Sequence, residues 1–397
     1  MLAAADVMSD MRSRLADMIA IVILFLMATG AVMVFSAGAS LGHEFDLRHF
    51  YDFPGLRQIM FFPIAVVILF IASVPDYRFW RFRSRWYACP TVWLLVISIA
   101  LVIAVLVPSL GTAVNQARRW LRIPLGPVSI SFQPSEMAKW VMVFFMAGVC
   151  AKSGPEIKLY WKRFLPLCIL IGLVCGLVVI EDFGTAAFIT LISFTMLIIA
   201  GVKWWHVLTL LPVGAVGFIA ALIQTPHRMQ RLAAFLHPEW FGASVAYQAN
   251  QSLIAIGSGG LWGKGLGQGI SKYGHLPEDT TDFIFAIVGE ELGLVGTLGV
   301  ITLFILFVCL GLAVVIRCRD PFGRLLAAGI VLTIGVQAAL NIGVVTVVLP
   351  TKGIPLPFVS AGGTSMLLSS AAVGVLLNIA ARAGPNRLDI NSDSHET

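Results

Sequence analysis

The sequence predicts an all-α polytopic membrane protein. It reads as about ten transmembrane helices with a large extracytoplasmic loop between helices 7 and 8. Three observations carry this. First, of 397 residues 58% are hydrophobic and 12% charged, with a mean hydropathy of +0.90. A soluble domain carries about 25% charged residues, so a water-soluble globule is excluded. Second, apolar runs of spanning or near-spanning length recur along the whole chain. Third, Lys and Arg alternate with those runs in the way that orients membrane helices. The chain divides into a cytoplasmic segment 1–17, one membrane domain 18–382 with an external loop 225–282, and a polar tail 383–397 expected to be disordered.

The first run, Met18 to Phe35, is long enough to span and lacks a clear small-residue cleavage site, so it reads as a retained helix. The runs lie at about 18–36, 58–74, 89–107, 136–151, 164–180, 184–201, 205–224, 283–316, 324–349 and 360–381. The fourth is short, and only Glu181-Asp182-Phe183 parts the fifth from the sixth. A cytoplasmic N-terminus places 16 of the 27 basic residues inside, among them Arg78, Arg81, Arg83, Arg85, Lys158, Lys162 and Arg163. An even number of helices returns the C-terminus to the cytoplasm. This placement accounts for the net charge of +6 and removes any argument for nucleic acid. None of the six cysteines falls in an outer loop, and no C-x-x-C pair occurs, so neither an external disulfide framework nor a cysteine metal pair is expected.

The unusual chemistry lies on the outer side. Segment 37–57 is an ordinary polar loop. Segment 108–135 carries Arg118, Arg119 and Arg122 beside Trp120. Arginine forks bind phosphate bidentately and an indole covers a sugar, but the same group also reads as interfacial anchors. Glu136 and Lys139 follow at i, i+3 on one helix face; they pair with each other or mark a cavity. Glu181-Asp182 is either a solvated turn or part of the same cavity. In loop 225–282, Tyr247 to Ile256 reads as a short amphipathic helix. Lys264 among glycines 263, 265, 267 and 269 lacks nucleotide-loop spacing and leaves a pyrophosphate contact open. Glu290 and Glu291, two turns into the eighth helix, should face the bundle interior and meet Lys139 or Lys352. Gln337 and Asn341, at i, i+4, suit hydrogen bonds between helices. Lys352 sits among Pro350, Pro355 and Pro357, where irregular backbone must be packed in protein or line a cavity.

The stretch His275 to Gly293, HLPEDTTDFIFAIVGEELG, organises the rest. Asp282 stands where an N-cap belongs for a helix beginning at Phe283, and equally where a base at the membrane surface would stand. On chemistry alone the two readings weigh the same. Nearby Glu278, Asp279, Glu290 and Glu291, with the basic second loop, tilt the balance toward catalysis. The ensemble is an outward-facing cavity of basic groups and carboxylates at the lipid boundary, suited to an anionic, lipid-linked substrate carrying hydroxyls.

Five stretches carry a resemblance: NQARRW (115–120), SFQPSEMAK (131–139), YQANQSLIAIGSGGLWGKGLG (247–267), LPEDTTDFIFAIVGEELG (276–293) and NIGVVTVVLPTKGIPLPFVSAGG (341–363). Together they resemble the SEDS family (shape, elongation, division and sporulation), whose best-known members are FtsW and RodA. LPTKG is more similar to the cell-division branch, FtsW, than to the elongation branch. The resemblance implies a ten-helix peptidoglycan glycosyltransferase of the cytoplasmic membrane that polymerises lipid II. It also implies a class B penicillin-binding transpeptidase of the FtsI type and other division proteins as partners. Asp282 aligns with the acidic residue on which the family's activity depends. The expected mechanism has Asp282 as general base, and Arg118, Arg119, Lys139 and Lys352 offsetting the leaving pyrophosphate. Trp120, Glu136 and Glu278 shape the substrate site, and a divalent cation, Mg2+ or Mn2+, is a further candidate counter-charge. Burial beside Glu278 and Asp279 should raise the pKa of Asp282. Three positions depart from the family pattern: Thr280 for His, Glu181 for Pro and Ala361 for Tyr. The rival readings are a lipid II flippase, which would need polar groups along a full transmembrane path, and a non-catalytic scaffold.

Overall fold

A computed structural model describes residues 2–38, 54–83, 85–114, 117–125, 128–223, 226–236, 243–273, 276, 278–351 and 353–382. The helices are α1 (Leu2–Gly38), α2 (Pro54–Ser73), α3 (Pro90–Leu106), α4 (Pro134–Ser153), α5 (Leu165–Val179), α6 (Phe183–Ile199), α7 (Trp204–Ile223), α8 (Pro226–Leu236), α9 (Ala243–Gly259), α10 (Ile284–Arg317), α11 (Pro321–Val345) and α12 (Gly363–Arg382). Each apolar run read from the sequence lies on one of them. Seven spans among the described residues are long and apolar enough to cross a membrane, and α3 and α6 are shorter apolar helices. α4 runs 20 residues and carries buried Glu136 and Lys139. The chain is a multi-pass membrane protein.

Local chemistry sets several helix starts. Proline occupies the first turn of α3, α4 and α11, where its missing N–H has no partner to lose. Asp182 caps α6 by accepting the Thr185 N–H at 3.1 Å, and Asp320 caps α11 through the Gly323 N–H at 3.0 Å. α4 stops at Gly154, whose φ of +48° suits a residue without Cβ.

Three features differ from the sequence reading. Segment 108–135 is not a plain loop. It folds into a three-stranded antiparallel sheet of β1 (Gly111–Val114), β2 (Ala117–Leu125) and β3 (Val128–Phe132), so the protein is helical with one small sheet between α3 and α4. Strands of four, nine and five residues, the middle one interrupted by a bulge, are too short to register in a reading tuned to membrane-spanning apolar runs. The amphipathic helix of the third loop is longer than 247–256 and covers Ala243–Gly259, with α8 before it. α1 begins at Leu2, so the N-terminal segment continues the first helix. The tail 383–397 and most of the first outer loop lie outside the described residues.

The core is built by α1, α2, α4, α6, α10, α11 and α12, whose facing side chains include Leu26, Met27, Met146, Phe307, Ile330 and Leu376, all essentially inaccessible. α7 is the opposite case: its described side chains are mostly exposed, as suits a helix facing lipid. α10 is too long for one span. Its 34 residues would rise roughly 51 Å against a hydrocarbon core of about 30 Å. It breaks at Gly293, which has φ +67° and ψ −161°, setting the turns that carry Glu290 and Glu291 apart from the spanning part.

Candidate active site

Residues 278–283 form a tight turn immediately before α10. Glu278 adopts φ +58°, and its carbonyl accepts the N–H groups of Thr281 at 3.2 Å and Phe283 at 3.1 Å. Its carboxylate accepts the Thr281 hydroxyl at 2.9 Å. The helix cap is Phe283, with no side-chain cap bond. Asp282 is therefore not the N-cap: the turn carries the chain one residue further before the helix begins and leaves the Asp282 carboxylate out of that role.

Asp282 is held from two sides. Asn341 on α11 donates one N–H of its amide to the Asp282 carbonyl at 2.8 Å and the other to the Ile354 carbonyl at 2.8 Å. One side chain thus ties the 278–283 turn to the proline-rich segment before α12. That segment is fastened further. Ser360 donates its hydroxyl to the Thr281 carbonyl at 2.6 Å and accepts the Leu356 N–H at 2.7 Å. The Ala361 N–H meets the Thr280 carbonyl at 2.9 Å. Two departures from the family pattern, Thr280 and Ala361, therefore meet through backbone atoms that no side-chain change removes. Gly353 lies against the Asp282 carboxylate; Lys352 lies outside the described residues.

Asp282 keeps some surface but is enclosed by protein on most sides. Desolvation pushes its carboxyl up to about 7. The charges of Glu278 and Asp182 contribute to that rise, while Arg119 and Arg231 oppose it. Burial likewise pushes Asp279 up to about 6. Arg231, on α8, is a member of this electrostatic neighbourhood that sequence reasoning missed, since a lone exposed arginine in an amphipathic helix carries no signal.

The arginines stand on β2. The register with β1 steps from Thr112↔Trp120 to Ala113↔Arg118, so Arg119 is the extra residue of a β-bulge. A regular strand would send Arg118 and Arg119 to opposite faces; a bulge breaks that alternation. Both line one recess with Glu181 and Asp182. The Arg118 N–H donates to the Glu181 carboxylate at 2.7 Å, and Arg119 Nε donates to the Glu181 carbonyl at 2.8 Å. The family's proline at 181 could not supply that carboxylate. Asp182 accepts from the Thr185 hydroxyl at 2.8 Å, Gln133 at 3.1 Å and Ser135 at 3.3 Å. The pair is thus part of the site and not a solvated turn. Trp120, half-buried, sits opposite Thr112 in the sheet.

With this geometry in place, the comparison with known proteins is decisive. A family model for FtsW, RodA and SpoVE, described as a cell cycle protein, matches residues 16–384. The chain belongs to the FtsW/RodA/SpoVE family. It is 37% identical over 366 residues to the probable peptidoglycan glycosyltransferase FtsW of Coxiella burnetii, covering 91% of this chain and 95% of that protein. The corresponding protein of Taylorella equigenitalis is 39% identical, covering 88% and 94%. Stage V sporulation protein E of Bacillus subtilis is 35% identical, covering 91% and 96%. Among solved structures, one described as structural coordination of polymerization and crosslinking by a peptidoglycan synthase complex shares the fold with a TM-score of 0.70. It is 24% identical and covers 92% of this chain and 98% of that one. RodA of Thermus thermophilus shares it with a TM-score of 0.61 at 24% identity, covering 93% and 97%.

The remaining charged residues of this FtsW/RodA/SpoVE family member brace the site. Lys139 is 2% exposed and pairs with Glu136 at 2.8 Å, then donates to Gln337 at 2.9 Å. Gln337 donates in turn to the Pro355 carbonyl at 2.9 Å. Gln337 and Asn341 thus bond the irregular segment between α11 and α12 more than they bond other helices. Glu290 and Glu291 do not meet Lys139, which Glu136 already engages. Glu290 accepts from Lys264 at 2.7 Å and from the N–H groups of Ile270 and Ser271 at 2.9 and 3.1 Å. Glu291 accepts from Lys272 at 2.9 Å, the Ser36 hydroxyl at 2.6 Å and the Gly267 N–H at 3.0 Å. The glycine-rich stretch is therefore no phosphate cradle; it wraps two carboxylates of its own chain. Glycine is required there because a Cβ at Gly263 would strike the Glu291 carbonyl, and Gly263 also has φ +80°. Among the described residues no three His, Cys, Asp or Glu side chains converge as metal ligands.

Proposed function

We propose that this protein is a peptidoglycan glycosyltransferase that polymerises lipid II at the outer face of the cytoplasmic membrane, in septal wall synthesis. The observation that carries the reading is Asp282: its carboxyl is left out of the helix cap and shifted to about 7, where a base works best at neutral pH, and its backbone carbonyl is held by Asn341 of α11. In the mechanism, Asp282 takes the proton of the 4-hydroxyl of the acceptor N-acetylglucosamine. That oxygen forms a bond to C1 of the donor N-acetylmuramyl unit. The bond from C1 to the phosphate oxygen breaks, and polyprenyl pyrophosphate leaves with the electron pair. Arg118 and Arg119 offset the charge that develops on it. Trp120 and Glu278 border the sugar site, and Lys352, adjoining Gly353, is a further cation for the leaving group. Glu136 and Lys139, buried and paired, act on substrate through the segment that Gln337 holds.

The names of the FtsW relatives support the activity and the septal role. The solved complex of similar fold supports a class B penicillin-binding transpeptidase as partner. The basic-residue bias supports cytoplasmic termini. The polar and charged groups of the site gather at the outer helix ends, which favours polymerisation over transport of lipid II across the membrane.

The test is polymer formed from labelled lipid II by purified protein with matched transpeptidase. Asp282→Asn keeps size but cannot accept the proton, so polymerisation should fall by roughly 10²–10⁴-fold in a folded protein. Full activity in Asp282→Asn at normal thermal stability would falsify the assignment and leave Glu278 or Asp279 as the base.

A further inference from the structure

Gly30 lies in the spanning part of α1, where alanine would be the better helix former, so propensity alone argues against it. What requires a glycine is a close approach of backbones. A Cβ at Gly30 would strike the Phe358 carbonyl oxygen and stand 2.7 Å from the Val359 Cα and 2.9 Å from the Val359 carbonyl oxygen. All three are backbone atoms, so no side-chain rotation relieves the overlap. Phe358 is itself buried at φ +64°, in the left-handed region that a bulky side chain avoids. Backbone held there persists only where its neighbours fix it, and α1 is one of those neighbours.

The residues that follow Phe358 reach the base. Ser360 donates to the Thr281 carbonyl at 2.6 Å and the Ala361 N–H to the Thr280 carbonyl at 2.9 Å, and Asp282 is next in the chain. The backbone that Gly30 touches therefore runs straight into the bonds that hold the catalytic turn. α1 is not free to back away from an added methyl. Toward its outer end α2 packs so closely that a Cβ at Gly55 would stand 2.8 Å from the Phe35 Cα. One residue on, Ser36 donates to the Glu291 carboxylate at 2.6 Å and accepts from Lys272 at 3.4 Å. With the helix pinned on two sides, the irregular segment 353–361 is the part that has to give way.

We propose that Gly30 is a positioning residue for the reaction: it seats α1 against Phe358 and Val359 and so sets where Ser360 and Ala361 hold the turn that carries Asp282. It touches no reacting atom and acts through the segment. The proposal rests on the glycosyltransferase reading and extends it to a helix whose spanning part, 18–38, carries no charged side chain. Propensity and positioning make opposite forecasts for Gly30→Ala: the first expects full activity, the second a loss.

The experiment compares the purified full chain with Gly30→Ala, Ser360→Ala, the double variant and Ile23→Ala, by polymer formation from lipid II across pH 5 to 9 and by amide hydrogen exchange in detergent. Gly30→Ala should lower kcat about tenfold or more with KM within roughly twofold, as for a displaced catalytic group. The rising limb of its pH profile should leave the wild-type position, because the protein around Asp282, this segment included, sets the carboxyl. Exchange at the Ala361 amide should quicken about tenfold as its bond to the turn loosens. Ile23 is buried on the same face of α1, two turns toward the N-terminus. Ile23→Ala opens a cavity and should lower the melting temperature while kcat and the limb stay as in wild type. An equal loss of kcat there would make the effect one of general stability and overturn the proposal. The double variant should cost about as much as the larger single loss, since both changes act on one link; losses that multiply in full overturn the route. Ser360→Ala is measured whether or not Gly30→Ala inserts in the membrane, and wild-type kcat in it overturns the proposal on its own. Exchange needs no turnover, so the two readings fail separately. A wild type that forms no polymer sinks only the enzyme; unaltered Ala361 exchange or unaltered kcat in Gly30→Ala sinks only the positioning role.

Discussion

Gly353 and Asp282 fit against each other so closely that a Cβ added at Gly353 would stand 2.9 Å from Asp282 Oδ2. The glycine therefore defines one wall of the carboxylate's position. Gly353→Ala should push the carboxylate aside or force the 353–361 segment outward. The expected result is polymerisation lowered by at least about tenfold with little change in thermal stability, since a displacement of about 1 Å at a catalytic group costs up to 10²-fold. Wild-type turnover in Gly353→Ala would show that this wall does not position the base.

The pH dependence follows from the neighbours of Asp282. A base with its carboxyl near 7 gives a rate that rises with pH and levels off above that value. Glu278 raises the carboxyl, so Glu278→Gln should move the rising limb to lower pH. Arg119 lowers it, so Arg119→Gln should move the limb to higher pH while also reducing the maximum rate. Measurement of polymer formation across pH 5 to 9 checks both signs. Shifts in one common direction would remove the electrostatic account.

Stability carries the opposite signature of the same shift. Folded Asp282 holds its proton up to about 7 and the unfolded residue only to about 3.8, so the folded state binds more protons in between. Stability from this group is present below the lower value and is lost as pH rises through the upper one. Asp282→Asn cannot ionise. It should therefore melt higher than wild type at pH 8, with the gap narrowing toward pH 4. A constant difference across that range, in thermal unfolding in detergent, would mean that Asp282 is not held in a desolvated place.

The Glu291–Lys272 pair is 0% and 1% exposed at its side chains, so its halves are unequal to its whole. Lys272→Met strands a buried carboxylate and should cost on the order of 3–5 kcal/mol, with poor membrane-inserted yield. Restoring balance with Glu291→Gln in the same chain should recover part of that loss. A single variant as stable as wild type would place this network outside the elements that hold the segment between α9 and α10.

Asn341→Ala should leave α11 intact and release both the Asp282 and the Ile354 carbonyls. The expected effect is a fall in kcat larger than any rise in KM, because the group orients the base and touches no substrate. A change in KM alone would assign Asn341 to binding.

The sequence by itself determined the membrane class and the positions of the apolar helices. These depend on composition and on the run lengths that hydrocarbon thickness imposes, both local properties. It also determined that Asp282 stands at a helix mouth, but not that Phe283 takes the cap, because a single residue of turn decides that and both choices suit an aspartate. Partners were beyond its reach. Glu290 and Glu291 were legible as buried, yet their lysines, Lys264 and Lys272, are 26 and 19 residues away and not in the neighbouring helices. The β-bulge that lets Arg118 and Arg119 line one recess depends on register with Thr112 and Ala113, which no run of apolar residues encodes. Asn341 and Gly353 acquired their relation to Asp282 only when α11 and the proline-rich segment closed over the start of α10. Helix position follows from each segment's own transfer from water. The site follows from which buried polar groups find one another once all segments share a bundle, and only the tertiary structure decides that.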